Sequence, residues 1–203
     1  MILRAVVLAA GQGTRLGGPK ALARWTPRGA PWALLHARAL RRRGAREVLL
    51  VLRDGVAPAL GTLPSGVRVV VSHAPEALGP AGSLQAAVES LPPEGLVCVT
   101  PVDALPLTKR VHRALCAALE NPEALAAVPV FQGRGGHPVL LRAEVLDPYR
   151  TEREPPTLRA LLQAPGPGLR RVPVEDPRVL ADLDTPEARE HWYDYMLHPY
   201  NTT

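Results

Sequence analysis

Thirteen consecutive residues near the N-terminus, Leu8-Ala9-Ala10-Gly11-Gln12-Gly13-Thr14-Arg15-Leu16-Gly17-Gly18-Pro19-Lys20, join an apolar lead to four glycines and two cations. Glycines allow backbone N–H groups to close around an anion, and Arg15 and Lys20 can neutralise a polyphosphate. The chemistry suited to such a loop is the holding of a nucleotide by its phosphates. Two better-known phosphate loops do not fit. The Gly-Lys-Ser/Thr ending of a Walker loop is missing, and Gly11, Gly13 and Gly17 are spaced one residue too far at the last step for a dinucleotide fingerprint. The plain alternative is a tight surface turn. Lys20 counts against it: the chain has only two lysines, Lys20 and Lys109, among 24 basic residues. A compact ammonium suits phosphate in a way that the planar guanidinium does not.

A loop of this kind must be held at the end of a strand. Residues 2–10 form an apolar run of strand length rich in valine and leucine, leading directly into the glycines. Helical spacing at Trp32, Leu35, Ala39 and Leu40 predicts a helix over 32–43, stopped by Gly44. Strands are expected at 47–52, 67–71 and 95–100, a short amphipathic helix at 83–91 and a longer helix at 107–119. This alternation predicts an α/β fold, a doubly wound Rossmann-like sheet that is mostly parallel. Beyond residue 120 the pattern changes. Strands at 124–131 and 137–141 flank Gln132-Gly133-Arg134-Gly135-Gly136 as a hairpin, which predicts a mixed edge. The proline-rich stretch 147–167 carries one short helix, and 169–174 is a last strand. Asp184-Thr185-Pro186-Glu187 starts a final helix, which fades into a frayed tail at 198–203. With neither repeat nor linker, residues 1–203 are expected to form one unit.

The thirteen-residue string resembles the signature loop of the Rossmann-like nucleotidyltransferases, the nucleotide-diphospho-sugar transferase type. Its short spacer before Lys20 resembles the molybdenum cofactor nucleotidyltransferase family in particular. Four later segments are similar to that family in the right order. Gly79-Pro80-Ala81-Gly82-Ser83-Leu84 resembles a nucleotide-contacting Gly-x-Ser-Leu segment, and Thr100-Pro101-Val102-Asp103 the stretch carrying a metal-binding aspartate. Gly133-Arg134-Gly135-Gly136-His137-Pro138-Val139 resembles a Gly-His-Pro segment, and Leu180-Ala181-Asp182-Leu183-Asp184-Thr185-Pro186-Glu187 a closing Asp-x-Asp-Thr-Pro segment. One departure stands out: the family has one residue between aspartate and proline, whereas Asp103-Ala104-Leu105-Pro106 has two.

The resemblance implies transfer of a nucleoside monophosphate from an NTP to a small phosphorylated acceptor, with release of pyrophosphate and no covalent intermediate. Leu8 to Arg15, Lys20, Gly82, Ser83 and Leu84 would bind the nucleotide, with Lys20, Arg15 and Asp103 catalytic. Asp103 and Asp184 would hold Mg2+, with Asp182 in reserve. Each has a plainer role: Asp103 a turn former, Asp184 or Thr185 a helix cap, Ser83 an N-cap. His137 is either structural or a contact to an anionic acceptor. The implied acceptor is molybdopterin, and Leu8-Ala9-Ala10-Gly11 resembles the cytidylyl rather than the guanylyl branch, which implies CTP. The resemblance also implies docking with a molybdoenzyme or a cofactor-insertion protein. The start Gly11-Gln12-Gly13-Thr14-Arg15-Leu16 leans toward sugar-phosphate nucleotidyltransferases. A non-catalytic nucleotide-sensing module and a dinucleotide-dependent oxidoreductase are the rivals from other classes.

Composition narrows the partners. The formal net charge is +5, but the arginines are dispersed and only Arg41-Arg42-Arg43 cluster, at a helix end where they suit the terminal carbonyls or solvent. Aromatics are 4% of the chain, too few for the stacking platforms of single-strand binders, so no nucleic-acid partner is expected. Cys98 and Cys116 have neither zinc nor disulfide spacing and read as core residues. The N-terminal apolar run lacks a preceding basic region, and no membrane span is evident, so a cytoplasmic location is expected. Prolines number 23 and fall between the periodic segments, stiffening loops.

Overall fold

In the computed structural model, which describes residues 1–163 and 168–197, the order is β1 (Leu3–Leu8), α1 (Trp32–Arg42), β2 (Glu47–Leu52), β3 (Val67–Val71), α2 (Gly79–Val88), β4 (Leu96–Pro101) and α3 (Lys109–Ala118). There follow β5 (Ala126–Phe131), β6 (Arg134–Gly135), β7 (Val139–Arg142), α4 (Pro148–Thr151), α5 (Leu158–Gln163), β8 (Leu169–Pro173) and α6 (Pro186–Leu197). The tail expected to fray, 198–203, lies outside the described residues.

The eight strands among the described residues form one sheet, ordered β3-β2-β1-β4-β7-β5-β6, with β8 also pairing β5. The pairs β1–β2, β1–β4 and β2–β3 are parallel, and β7 runs antiparallel between β4 and β5. The fold is therefore the expected mainly parallel α/β sheet with a mixed edge. Its two faces are set by the alternation of strand side chains. Ala5, Val7, Val48, Leu50 and Leu52 meet α1 and α3 on one face, through Trp32, Ala37, Leu40, Val111 and Leu115. Val6, Leu49 and Val51 meet α2 on the other, through Ala81, Leu84, Ala87 and Val88. Every residue of β2 after Glu47 is buried, and each Val or Leu so buried stabilises by about 1.5–3 kcal/mol.

Several boundaries differ from expectation for local reasons. The first strand is shorter than 2–10: Ile2 is exposed, and after the Ala9 N–H bond to the Val51 carbonyl the chain leaves the ladder. The helix expected at 83–91 begins at Gly79 and ends at Val88, because Pro80 has the φ of a first turn and no N–H to lose there. Ser83 is thus inside the helix and not its N-cap. Among the described residues of 147–167 two short helices form instead of one: Pro148 starts α4, and the Thr157 hydroxyl accepts from Ala160 N to open α5. The tip of the hairpin turns at Gln132-Gly133, both at positive φ, and β6 pairs with the end of β5 before β7 returns beside its start. Among the described residues, no helix is long and apolar enough to cross a membrane.

Candidate active site

The signature loop leaves the carboxyl end of β1, where open α/β sheets bind ligands. Its path depends on Gly13, at φ 63°, whose carbonyl accepts from Leu16 and Gly18 N–H. A Cβ there would lie 2.0 Å from the Gly18 carbonyl oxygen, so only glycine permits the closed turn. Thr14 and Arg15 are carried outward on a short 3-10 turn, and a second such turn begins at Lys20.

Lys20 points back under the loop to the ends of two distant segments. Its ammonium donates to Asp103 Oδ2 at 2.7 Å and makes a very short bond to Asp184 Oδ1. Asp103 follows β4, and its backbone is fixed from two sides: Val102 N–H bonds the Leu8 carbonyl, and Leu183 N–H bonds the Asp103 carbonyl. The second bond brings the closing segment against the first strand ends. Thr185, whose hydroxyl accepts from Ala188 N, caps the first turn of α6 and leaves the Asp184 carboxylate to Lys20. Asp182 accepts from Asp184 N–H at 3.1 Å. Oxygens of Asp103, Asp182 and Asp184 lie within 4.8 Å of one another.

Electrostatics follow from this crowding. Burial lowers the Lys20 pKa, but its hydrogen bonds to Asp103 and Asp184 outweigh that and the net shift is upward. The Lys20 bond holds Asp184 below the usual carboxylate range. Asp182 is raised, first by burial and then by repulsion from Asp184 and Asp103. Three carboxylates, two of them already on a cation, are the hard oxygen donors that a divalent ion such as magnesium or manganese takes. The donor set fits such an ion.

Two hollows meet at Lys20. One, of about 430 Å3, is lined by Leu8, Ala10, Gly11, Gln12, Ser83 and Asp103, together with Arg53 and residues 72–75. The other, of about 270 Å3, is lined by Gly11 to Arg15, Lys20 and Asp184. The second is rimmed by the glycine loop and Arg15. Of the residues singled out from sequence, Ala9 and Leu84 are instead core side chains, each 1% exposed. Gly82 is buried where a Cβ would strike Ala74 at 2.5 Å, so it lets α2 pack against the cavity wall. His137 lines neither hollow. It faces a shallow cleft with Pro106, Thr108, Asp176 and Arg178, and its N–H bonds the Val179 carbonyl. Although its surface is open, the protein packed around the ring lowers its pKa, with Asp103 opposing. Arg53, Ser72 and His73 were not foreseen, although they follow β2 and β3 at the carboxyl edge where ligands bind. His36, fully buried on α1, was not foreseen either. Its Nε2–H donates to the Ala104 carbonyl at 2.9 Å, and burial pushes its pKa down to about 4.

A glycine loop and a lysine on paired carboxylates stand at a cavity across the ends of four parallel strands, and the sequence over residues 5–172 matches the MobA-like NTP transferase domain. The chain belongs to the MobA-like NTP transferase family. It is a nucleotidyltransferase by that membership. Its fold is similar to that of a Mycobacterium tuberculosis rv0371c homolog from Mycobacterium sp. strain JC1, at TM-score 0.78 and 24% identity over 97% of this chain and 98% of that one. Rv0371c of M. tuberculosis H37Rv has TM-score 0.75 and 23% identity over 96% and 98%, and has also been solved in complex with manganese. The 4-diphosphocytidyl-2C-methyl-D-erythritol synthase of Anaerococcus prevotii DSM 20548 has TM-score 0.73 and 14% identity over 97% and 96%. No curated protein matches the sequence.

Proposed function

We propose that this nucleotidyltransferase transfers CMP from CTP to the terminal phosphate of molybdopterin and releases pyrophosphate. An acceptor phosphate oxygen attacks the α-phosphorus, that P–O bond forms as the α–β bridging P–O bond breaks, and the electron pair leaves with pyrophosphate. Loop amides and Arg15 hold the β and γ phosphates. Lys20 lies where charge shifts during transfer and stabilises the transition state more than the bound substrate. Magnesium held by Asp103 and Asp184 would neutralise phosphate charge. Asp182, raised in pKa, is the weaker third donor. The cytidine dinucleotide product would then pass to a molybdoenzyme or a cofactor-insertion protein.

The observation that carries the CTP reading is Ala10, which lines the cavity along with Gly11 and Ser83. Leu8-Ala9-Ala10-Gly11 resembles the cytidylyl branch of the family, whereas the guanylyl branch has glycine at this position. A second reading, a sugar-phosphate acceptor, is favoured by Gln12-Gly13-Thr14 and by the likeness in fold to a UTP-bound UGPase from Acinetobacter baumannii.

The test is thermal denaturation with each of four NTPs and magnesium, followed by pyrophosphate release with molybdopterin or sugar phosphates as acceptor. A ligand bound only by the folded state raises stability by mass action, so the ranking reports affinity. CTP is expected to give the largest shift, and pyrophosphate to appear only with molybdopterin present. A preference for GTP or UTP would remove the cytidylyl assignment, and binding with no release for any acceptor would indicate a nucleotide-sensing module.

A further inference from the structure

We infer that His36 is a positioning residue for the carboxylate centre, holding the turn that aims Asp103 by a buried hydrogen bond to the Ala104 carbonyl. The inference rests on the reading of Asp103 as a metal ligand. The turn after β4 runs from Asp103 through Ala104 and Leu105 to Pro106. A turn of this length next to a ligand needs its backbone held if the carboxylate is to keep one direction, and it is tied on three sides. Ala104 N–H closes on the Pro101 carbonyl at 3.4 Å, the Asp103 carbonyl accepts from Leu183 N–H at 2.9 Å, and the Ala104 carbonyl accepts from His36 at 2.9 Å. The first is long and belongs to the turn itself. The other two come from outside it, the second from the His36 side chain.

The rest of the environment explains why a polar residue stands at this position. His36 is 1% exposed and Ala104 3%, on the apolar face of α1 among Trp32, Ala33, Ala37 and Leu40. An imidazole buried there costs free energy unless its N–H is bonded, and a leucine would fill the space at no such cost. The ring also interacts with the Val102 backbone, so it meets the residues on both sides of Asp103, and the Asp103 charge acts on it as well. Burial keeps the ring neutral, and since a carbonyl can only accept, the proton is on Nε2. An uncharged ring beside a metal-binding turn orients without competing with the ion. The bond thus performs for Asp103 what outer hydrogen bonds do for metal ligands generally: it fixes where the donor atom points.

The experiment is calorimetric titration of the metal-free full chain with Mn2+, for the parent, His36→Leu and His36→Gln, with the melting temperature of each recorded without metal. Gln can place an amide N–H near the position of Nε2, whereas Leu cannot donate. Mn2+ affinity is expected to fall about 10- to 100-fold in His36→Leu and to recover to within about three-fold of the parent in His36→Gln. With CTP, kcat should drop in the Leu variant by a similar factor while KM changes less, since His36 does not line the nucleotide cavity. If Leu prevents folding, His36→Asn takes its place: its shorter amide does not reach Ala104, and it should lose affinity where Gln keeps it. A merely structural histidine would lower the melting temperature and leave Mn2+ affinity within about two-fold in every folded variant, which would overturn the inference while the proposed function stood. A parent chain that binds no Mn2+ would overturn both. Variants that rank as expected for Mn2+ in a protein that transfers nothing would uphold the positioning role and refute the transferase reading.

Discussion

Truncating Lys20 should move two measurable quantities in opposite directions. Its ammonium lies 2.7 Å from Asp103 Oδ2 and also bonds Asp184, with only 17% of its side chain exposed. Unit charges at that separation in an effective dielectric of about 20 attract by about 6 kcal/mol, much of it offset by desolvation of both groups. In the nucleotide-free protein the lysine therefore competes with a divalent ion for the same oxygens. Removing it in Lys20→Ala leaves Asp103, Asp182 and Asp184 without their cation, so Mn2+ should bind more tightly, by about ten-fold for each 1.4 kcal/mol of competition relieved. Turnover should fall in the same variant by about a hundred- to thousand-fold, about 3–4 kcal/mol, because the charge that meets the phosphate in the transition state is gone. Lys20→Arg should restore only part of the rate, since a planar fork cannot put its charge at the same point. The assays are Mn2+ titration without nucleotide and single-turnover transfer at saturating CTP and magnesium. Weaker Mn2+ binding in Lys20→Ala would refute the competition, and a rate within a few fold of the parent would put the catalytic cation elsewhere, with Arg15 the next residue to test.

Two further outcomes test the loop and the core. Gly13→Ala should destabilise by about 1–3 kcal/mol and abolish stabilisation by CTP, because its Cβ would meet the Gly18 carbonyl at 2.0 Å in a left-handed turn. Gly17→Ala, with no atom within 4 Å, should cost only about 1–2 kcal/mol and keep the CTP response; equal behaviour of the two in urea denaturation with and without CTP would contradict the close approach at Gly13. Stability should also decline as pH falls from about 6.5 toward 4. In that window the unfolded chain protonates His36 while the folded chain, with its pKa near 4, does not, a difference of about 3 kcal/mol at the lower end. His112 and His137, both lowered by burial, add in the same sense, whereas the lowered Asp184 acts only as pH falls below about 4. His36→Leu should therefore flatten the slope between pH 6.5 and 4 without removing it, and an unchanged slope would mean that His36 is protonated in the folded protein.

The parallel half of the sheet was legible because its causes are local. A strand buried on both faces needs an unbroken apolar run, as 48–52 is, while 67–71, at the sheet edge, is apolar but for exposed Arg68; β2 and β3 have the expected bounds. The loop was legible for a similar reason: its glycines and Lys20 lie within one short stretch, and the steric need for glycine at position 13 is internal to the turn. The start of α2 is ambiguous in sequence because Ser83 and Pro80 both signal helix starts, and Pro80, with no N–H to lose in a first turn, sets it at Gly79. Position by position, sequence does not separate side chains that face the cavity from those that face the core, so Ala9 and Leu84 look no different from Ala10 and Ser83 until the chain is folded. The carboxylate centre is a tertiary product. Lys20 is separated by 83 residues from Asp103 and by 164 from Asp184, and the three meet only because β4 lies beside β1 and the segment after β8 returns to bond the Asp103 carbonyl. His36 shows the limit most plainly. On an apolar helix face its spacing is that of any core residue, and its bond to Ala104, 68 residues away, exists only once the sheet has been covered on that side. Residue type and periodicity determined which elements form and which side chains could do chemistry; which of them converge was decided by strand order, because proximity across a sheet leaves no trace in local spacing.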